Sequence, residues 1–437
     1  MKIKTISARS SAQLLCLALA FTITAAQAQE AVLGIGSPRP TIAELPGDRS
    51  SQHRPGDASA ASLDELVAAN SVFAFNLMND LTQAQPDANI FISPYSVSTV
   101  LQMTAIGAAG GTKAEMQQVL DIAGLSADSL YAASKALDQQ LAGRTNVTLN
   151  IADGLWFQQG LHLKQAFVND NVNFFQAEIA NVDFLNPQSA RLINHWADEQ
   201  TRGKIPEVVQ FPFPRSTRLI LANAVYFKGT WALPFDPEAT QPGDFYLPDG
   251  QSEQVPIMAQ DGYFQYQENS DFQAIQLAYN GGLQMELFLP ATNSSPQMLL
   301  AGLADSGIWR NVQAGFVGQK GTVMLPRFTL RDQILLNRPL EALGMTSAFG
   351  SRANFSGMAS EPLSISQVQQ TSFVDVDEEG TEAAAVTTVT MVDCVTSAPL
   401  PDEFTMILDR PFFFVISDVN TGSILFMGTV NDPAGGN

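Results

Sequence analysis

Histidine and cysteine are nearly missing from this chain. Its 437 residues hold three histidines, His53, His162 and His195, in unrelated segments. No H-E-x-x-H, C-x-x-C, G-x-S-x-G or P-loop pattern occurs. The absences remove the usual zinc-protease, dithiol, acyl-transfer and nucleotide-hydrolysis chemistries. His195 falls in a helical stretch and reads as a helix-surface or packing residue. The two cysteines are Cys16 and Cys394. Loss of Cys16 with an export signal would leave one thiol, so neither an internal disulfide nor a thiolate zinc site could form. Basic residues are also few: 23 Lys and Arg face 43 Asp and Glu, for a formal net charge of −20. A surface this acidic does not wrap nucleic acid or gather on anionic membrane through charge. No cofactor is expected, and no catalytic residue.

What remains is ordinary globular material, 45% hydrophobic and 15% charged, with length for a sizeable core. Residues 1–28 read as a secretory signal. Lys2, Lys4 and Arg9 form a basic start, an apolar run follows from Leu14, and Ala26-Gln27-Ala28 supplies a small-residue cleavage site. The run is too short to span a bilayer. Residues 29–61 are rich in Pro, Gly and Ser without period and are expected to be a flexible linker. One domain is expected over 62–437. The chain is expected to be secreted, periplasmic or extracellular, with no membrane span, and monomeric.

From Ser62 the texture changes. Leu66, Val67, Ala69, Phe73, Leu77 and Leu81 recur at helical spacing, with Ser62 and Glu65 placed as a capping box. "NIFISPYSVSTVLQMTAIGAAGG" reads as a short strand, a Ser-Pro turn and a helix ending at Gly110-Gly111. "TNVTLNIADGLWF" and "RLILANAVYFKGTW" look like strands on either side of a helix near "ARLINHWADEQTRG". The last third is mostly strand, and Asn420-Thr421-Gly422 marks a hairpin turn. Helices early and strands late, without strict alternation, give an α+β class. Asp377 and Glu378 read as solvated loop charge.

With those segments in hand, the chain resembles the serpin family, the serine-protease-inhibitor superfamily, as an inhibitory, secreted, bacterial-type member. Asn89, Ile90, Ser93, Pro94 and Ser96 match the family's Asn-Ile-x-x-Ser-Pro-x-Ser block. Asn223 to Trp231, in "NAVYFKGTW", match a second block, and Val255 to Met258 match a Val-Pro-x-Met segment. "LPRFTL", "LGMTSAF" and "DRPFFFVISDVNTGSILFMGTVNDP" match later ones. These blocks, in order over nearly all of 62–433, make the match strong. The resemblance implies the serpin fold: three β-sheets, about nine helices and an exposed reactive-centre loop, here about 378–403. It also implies sheet-opening control by Ser93, Ser96, Asn223 and Trp231, with Gln370 where many members carry a buried histidine. No titrating group then stands at position 370.

The resemblance makes Glu378, Glu379, Gly380, Thr381, Glu382, Ala383, Ala384 and Ala385 the hinge of that loop. In such a mechanism a protease cuts the loop, which inserts as a new strand in the main sheet; serpin insertion is itself a standard example of strand addition and strain release. This loop suits it. Strand residues alternate faces, and one face reads Thr381, Ala383, Ala385, Thr387, all small and uncharged. Glu382 falls on the opposite face. No proline occurs before Pro399, so every inserted residue can donate its N–H. The scissile bond is expected at Cys394–Val395, with cleavage after Asp393 as the runner-up. Cys394 suits elastase-like or subtilisin-like serine proteases and some cysteine proteases. No Arg or Lys lies between Glu378 and Asp409, which argues against trypsin-like targets. The expected partner is thus a target protease in a 1:1 covalent complex. The alternative is a non-inhibitory member acting as carrier, chaperone or structural protein.

Overall fold

The computed structural model describes residues 59–144, 146–381 and 403–435. The signal and nearly all of the linker lie outside the described residues, as do Glu382, Ala383, Ala384, Ala385, Asp393, Cys394 and Val395.

The first half is mostly helical. It runs α1 (Ala60–Ala84), β1 (Ile90–Ile92), α2 (Pro94–Ala105), α3 (Gly110–Val119), α4 (Ala127–Ala142), β2 (Val147–Gln158), α5 (Gln165–Phe175), β3 (Glu178–Val182), α6 (Pro187–Gln200) and β4 (Leu219–Thr230). Strands dominate afterwards: β5 (Gln241–Tyr246), β6 (Ser252–Glu268), β7 (Phe272–Ala278) and β8 (Leu283–Pro290) precede α7 (Pro296–Leu303) and α8 (Ser306–Ala314). Then come β9 (Val317–Pro326), β10 (Phe328–Leu335), α9 (Asn337–Ala342), β11 (Gln367–Val376), β12 (Gly380–Thr381), β13 (Phe404–Ile407), β14 (Phe412–Asp418) and β15 (Ile424–Val430).

Six strands form one sheet in the order β10-β11-β12-β4-β2-β3. The other nine form a second, β1-β15-β14-β8-β7-β6-β9-β13, with β5 beside β6. The resemblance implied three sheets. The difference is one of continuity, because the 17-residue β6 pairs with β5 along its first stretch, with β9 from Ile257 to Tyr266 and with β7 along its end, joining two sheets into one hydrogen-bonded path. Nine α-helices are present among the described residues, and the α+β class holds.

All six residues of the apolar stripe on α1 are buried, and Phe73 and Leu77 have no exposed surface. That helix packs on α2, α4 and α7, while α2 lies against β2, β4 and β15. Aromatic stacking reinforces the junction: Phe91 stacks on Phe414 and Phe426, and Phe288 on Phe413 at 4.6 Å.

Two boundaries differ from the sequence reading. Ser59, not Ser62, caps α1, its hydroxyl accepting from Ser62 N at 3.1 Å; two alanines extend the helix past the expected start. Gly110 and Gly111 open α3 instead of ending the preceding helix, which stops at Ala105. Elsewhere the cues hold. Ser93 caps α2 with Pro94 in its first turn, the place where a missing N–H costs nothing. Gly422 takes φ 72 in the turn between β14 and β15.

Candidate functional site

The candidate site is the seam between β4 and β11 together with the short strand that fills its end. The two strands pair in parallel from Gln367 opposite Ile220 to Phe373 opposite Tyr226. Beyond that point they part, and β12 occupies the gap. Thr381 pairs with Val376 of β11 on one side and Gly229 of β4 on the other. The hinge therefore has its first residues already hydrogen-bonded into the sheet.

A tight hairpin makes this possible. Asp377 N donates to Gly380 O at 2.9 Å, so Glu378 and Glu379 form the turn between β11 and β12. Asp377 Oδ1 accepts from Glu379 N at 2.9 Å and Gly380 N at 3.2 Å, an Asx-type closure. Gly380 has φ 147, and a Cβ there would clash with the Gly229 carbonyl and lie 2.7 Å from Thr230 Cα. Only glycine fits.

Thr381 is fully buried, and its Oγ1 lies 2.8 Å from Tyr279 Oη. The inward face expected for Thr381 is the one it shows. Tyr279 stacks on Trp231 with ring centroids 4.3 Å apart. Trp231 Nε1 donates to Asp377 O at 2.9 Å, and its backbone N donates to Glu379 O at 2.9 Å. Trp231 thus grips the turn that launches β12.

Glu378 corrects the reading as solvated charge. It is 4% exposed, accepting from Arg327 Nε at 2.8 Å and Nη2 at 2.5 Å, and from Thr240 Oγ1. Burial alone would raise its carboxyl, but the Arg327 and Thr240 hydrogen bonds outweigh it and leave the group below its ordinary value.

A second cluster lies further along the seam. Gln370 of β11 is opposite Asn223 of β4, which on its other side is opposite Asp153 of β2. Gln370 Nε2 donates to Asn223 Oδ1 at 2.5 Å and to Ser93 O at 3.0 Å, and its Oε1 accepts from Ser93 N at 2.9 Å. Asn223 Nδ2 donates to Asp153 Oδ1 and Ser96 Oγ, and Ser96 Oγ donates to Asp153 Oδ1 at 3.1 Å. Ser93, Ser96, Asn223 and Gln370 are all brought together, and the glutamine bridges the strand and helix as a polar side chain can. Trp231 stands apart from them, at the β12 end.

Asp153 was not singled out from the sequence. Burial pushes its carboxyl up to about 7, against the lowering effect of the Asn223 and Ser96 hydrogen bonds, with the Asp138 charge adding to the rise. Tyr279, Arg327 and Thr240 were missed as well. His195 is an exposed residue of α6 beside Glu199 at 3.2 Å, as expected.

Comparison with known proteins places this geometry. The family described as Serpin (serine protease inhibitor) matches residues 68–433. Glia-derived nexin of Rattus norvegicus is 33% identical over 390 residues, covering 86% of this chain and 94% of the relative. Leukocyte elastase inhibitor of Bos taurus is 36% identical over 387 residues, covering 85% and 100%. Among solved structures, the thermophilic serpin tengpin in its native state superposes with a TM-score of 0.78 at 26% identity, covering 87% of this chain and 96% of that one. The chain belongs to the serpin family and has the serpin fold. Its class is that of protease inhibitors rather than enzymes. No helix among the described residues is long and apolar enough to cross a membrane.

Proposed function

We propose that this chain is a secreted suicide-type inhibitor of elastase-like or subtilisin-like serine proteases, and of cysteine proteases with similar preference. Residues 1–28 are the signal, 29–61 a flexible tether and 62–437 the inhibitory domain. The protease nucleophile attacks the carbonyl of Cys394 in the Cys394–Val395 bond, with Asp393 the alternative acceptor of the cut. With Glu378 to Gly380 holding the turn, the hinge residues from Glu382 to Ala385 then follow Thr381 into the seam, the strand zips between β4 and β11, and the acyl-enzyme is carried away and trapped in a 1:1 complex.

The observation that carries this reading is the double pairing of Thr381, to Val376 and to Gly229. A strand starting there needs only to extend, and successive residues gain backbone hydrogen bonds to β11 and to β4 in turn. The small face of Thr381, Ala383, Ala385 and Thr387 can slide over the core without opening new volume. Ser93, Ser96, Asn223 and Gln370 act as the clasp across the seam, and Trp231 as the anchor of the turn.

Incubation with elastase and with subtilisin tests it. An SDS-resistant band at the summed mass and a released C-terminal peptide starting at Val395 are expected. Cleaved chain alone, with no complex across a protease panel, would overturn the reading in favour of a non-inhibitory carrier or structural role. Export is checked separately, by a mature N-terminus at Gln29.

A further inference from the structure

Asn223 is held from both sides of the seam. Its Oδ1 accepts from Gln370 on β11, and its Nδ2 donates to Asp153 on β2 and to Ser96 on α2. The first turn of α2 straddles the same line. Ser93 is tied to Gln370 by two hydrogen bonds, whereas Ser96 is tied to Asp153. When β4 and β11 part, the start of α2 can follow one strand or the other, but it cannot keep both sets of bonds.

The balance depends on the charge of Asp153. An ionised carboxylate holds its donors roughly twice as strongly as a neutral acceptor does. Protonated, it loosens Ser96 and Asn223 together and leaves α2 free to move with β11. We propose that Asp153 is a proton-operated catch on this seam, so that acidification speeds insertion of a strand between β4 and β11. The inference rests on the insertion reading given above.

Three features support it. Asp153 lines a cavity of about 340 Å³ beneath β2, through which water can exchange its proton. The titratable groups facing that cavity are Tyr95 from α2, Asp138 from α4 and Glu178 from β3; α1, α5 and α6 present only neutral side chains to it. Outside the cavity, Asn223 of β4 meets Asp153 with a neutral amide. No Lys, Arg or His is among the described residues of its lining, so no cation holds Asp153 ionised there. With its carboxyl pushed up to about 7, the change of charge falls within the range of ordinary surroundings. Gln370, which carries no titrating group, therefore has a titrating acid two strands away.

Linkage to unfolding runs the opposite way. A carboxyl raised from 3.8 to about 7 makes a contribution to folded stability that is full below 3.8 and lost as pH rises through about 7. Opening with α2 on the β11 side removes Ser96, one of the two donors that hold the value down, while Asn223 of β4 stays beside Asp153 of β2, so the open seam binds the proton more tightly still. Acid should thus favour the fold at this site and yet release the seam.

The test uses a fluorescent peptide of residues 381–392 and the intact chain, following incorporation at pH 8 and pH 6. Wild type should incorporate several-fold faster at pH 6 than at pH 8, because the proton that frees Ser96 is bound at the lower pH. Asp153→Asn should be insensitive to pH and fast throughout. Asp138→Asn, which removes a neighbouring charge without touching the seam, should move the wild-type midpoint to lower pH. A flat wild-type profile, an unchanged profile in Asp153→Asn, or an unmoved midpoint in Asp138→Asn would overturn the proposal. Absence of incorporation at every pH would instead overturn the insertion reading, and this inference with it.

Discussion

The Tyr279 hydroxyl meets Thr381 Oγ1 at 2.8 Å, in the interior, where the loop joins the sheet. Tyr279 belongs to the short segment after β7, 102 residues from its partner, and it stacks on the tryptophan that grips the turn. One buried hydrogen bond thereby links the hinge to the anchor of the β12 end. Losing a partner from such a bond leaves a buried polar group unsatisfied, at about 1–3 kcal/mol.

Tyr279→Phe removes the hydroxyl and keeps the stacked ring. Amide hydrogen exchange at Gly380 and Thr381 should quicken in this variant, while exchange in β14 and β15 stays as in wild type. Equal protection at the hinge would show that the bond does not hold β12 in place.

Gly380→Ala places a methyl group against the Gly229 carbonyl at a φ of 147. Strain of this kind costs of the order of 1–3 kcal/mol. The variant should lose β12 pairing and, with protease, yield a larger share of cleaved chain relative to complex. The stoichiometry of inhibition measures that share directly. A wild-type value would mean that Gly380 is replaceable.

Much of this site was legible beforehand. The spacing of Ser93, Ser96, Asn223, Gln370 and the hinge follows a family pattern carried by short contiguous blocks, and period-two alternation was enough to face Thr381 inward. Tyr279, Arg327, Thr240 and Asp153 were not legible, because each reaches the site from another strand or connecting segment and no local pattern marks the meeting. Asp153 sits in "IADGLWF", where an acid in a strand resembles any solvent-facing residue; only the pairing of β2 with β4 turns it inward to Asn223. Glu378 was misread for the same reason, since its partner Arg327 is 51 residues away. Local helix ends failed differently: Gly110-Gly111 has the composition of a stop and serves as a start.

The Glu378–Arg327 pair has a signed pH dependence. The Glu378 carboxyl lies below its ordinary value of 4.5, so its contribution is full above 4.5 and is lost as pH falls through the lower folded value. Thermal unfolding of wild type and Glu378→Gln should differ at pH 7 and converge as pH drops below 4.5. A gap that persists into acid would assign the effect to packing instead of charge.

The trapping of a protease by strand insertion is tested most directly at Thr381, the fully buried residue that any inserted loop must keep inside. Thr381→Arg would place an unpaired charge there, at a cost of several kcal/mol. Incubated with elastase, wild type should give an SDS-resistant complex, and Thr381→Arg should be cut at the same bond and release the active enzyme. An equal yield of complex from both would contradict insertion through this seam.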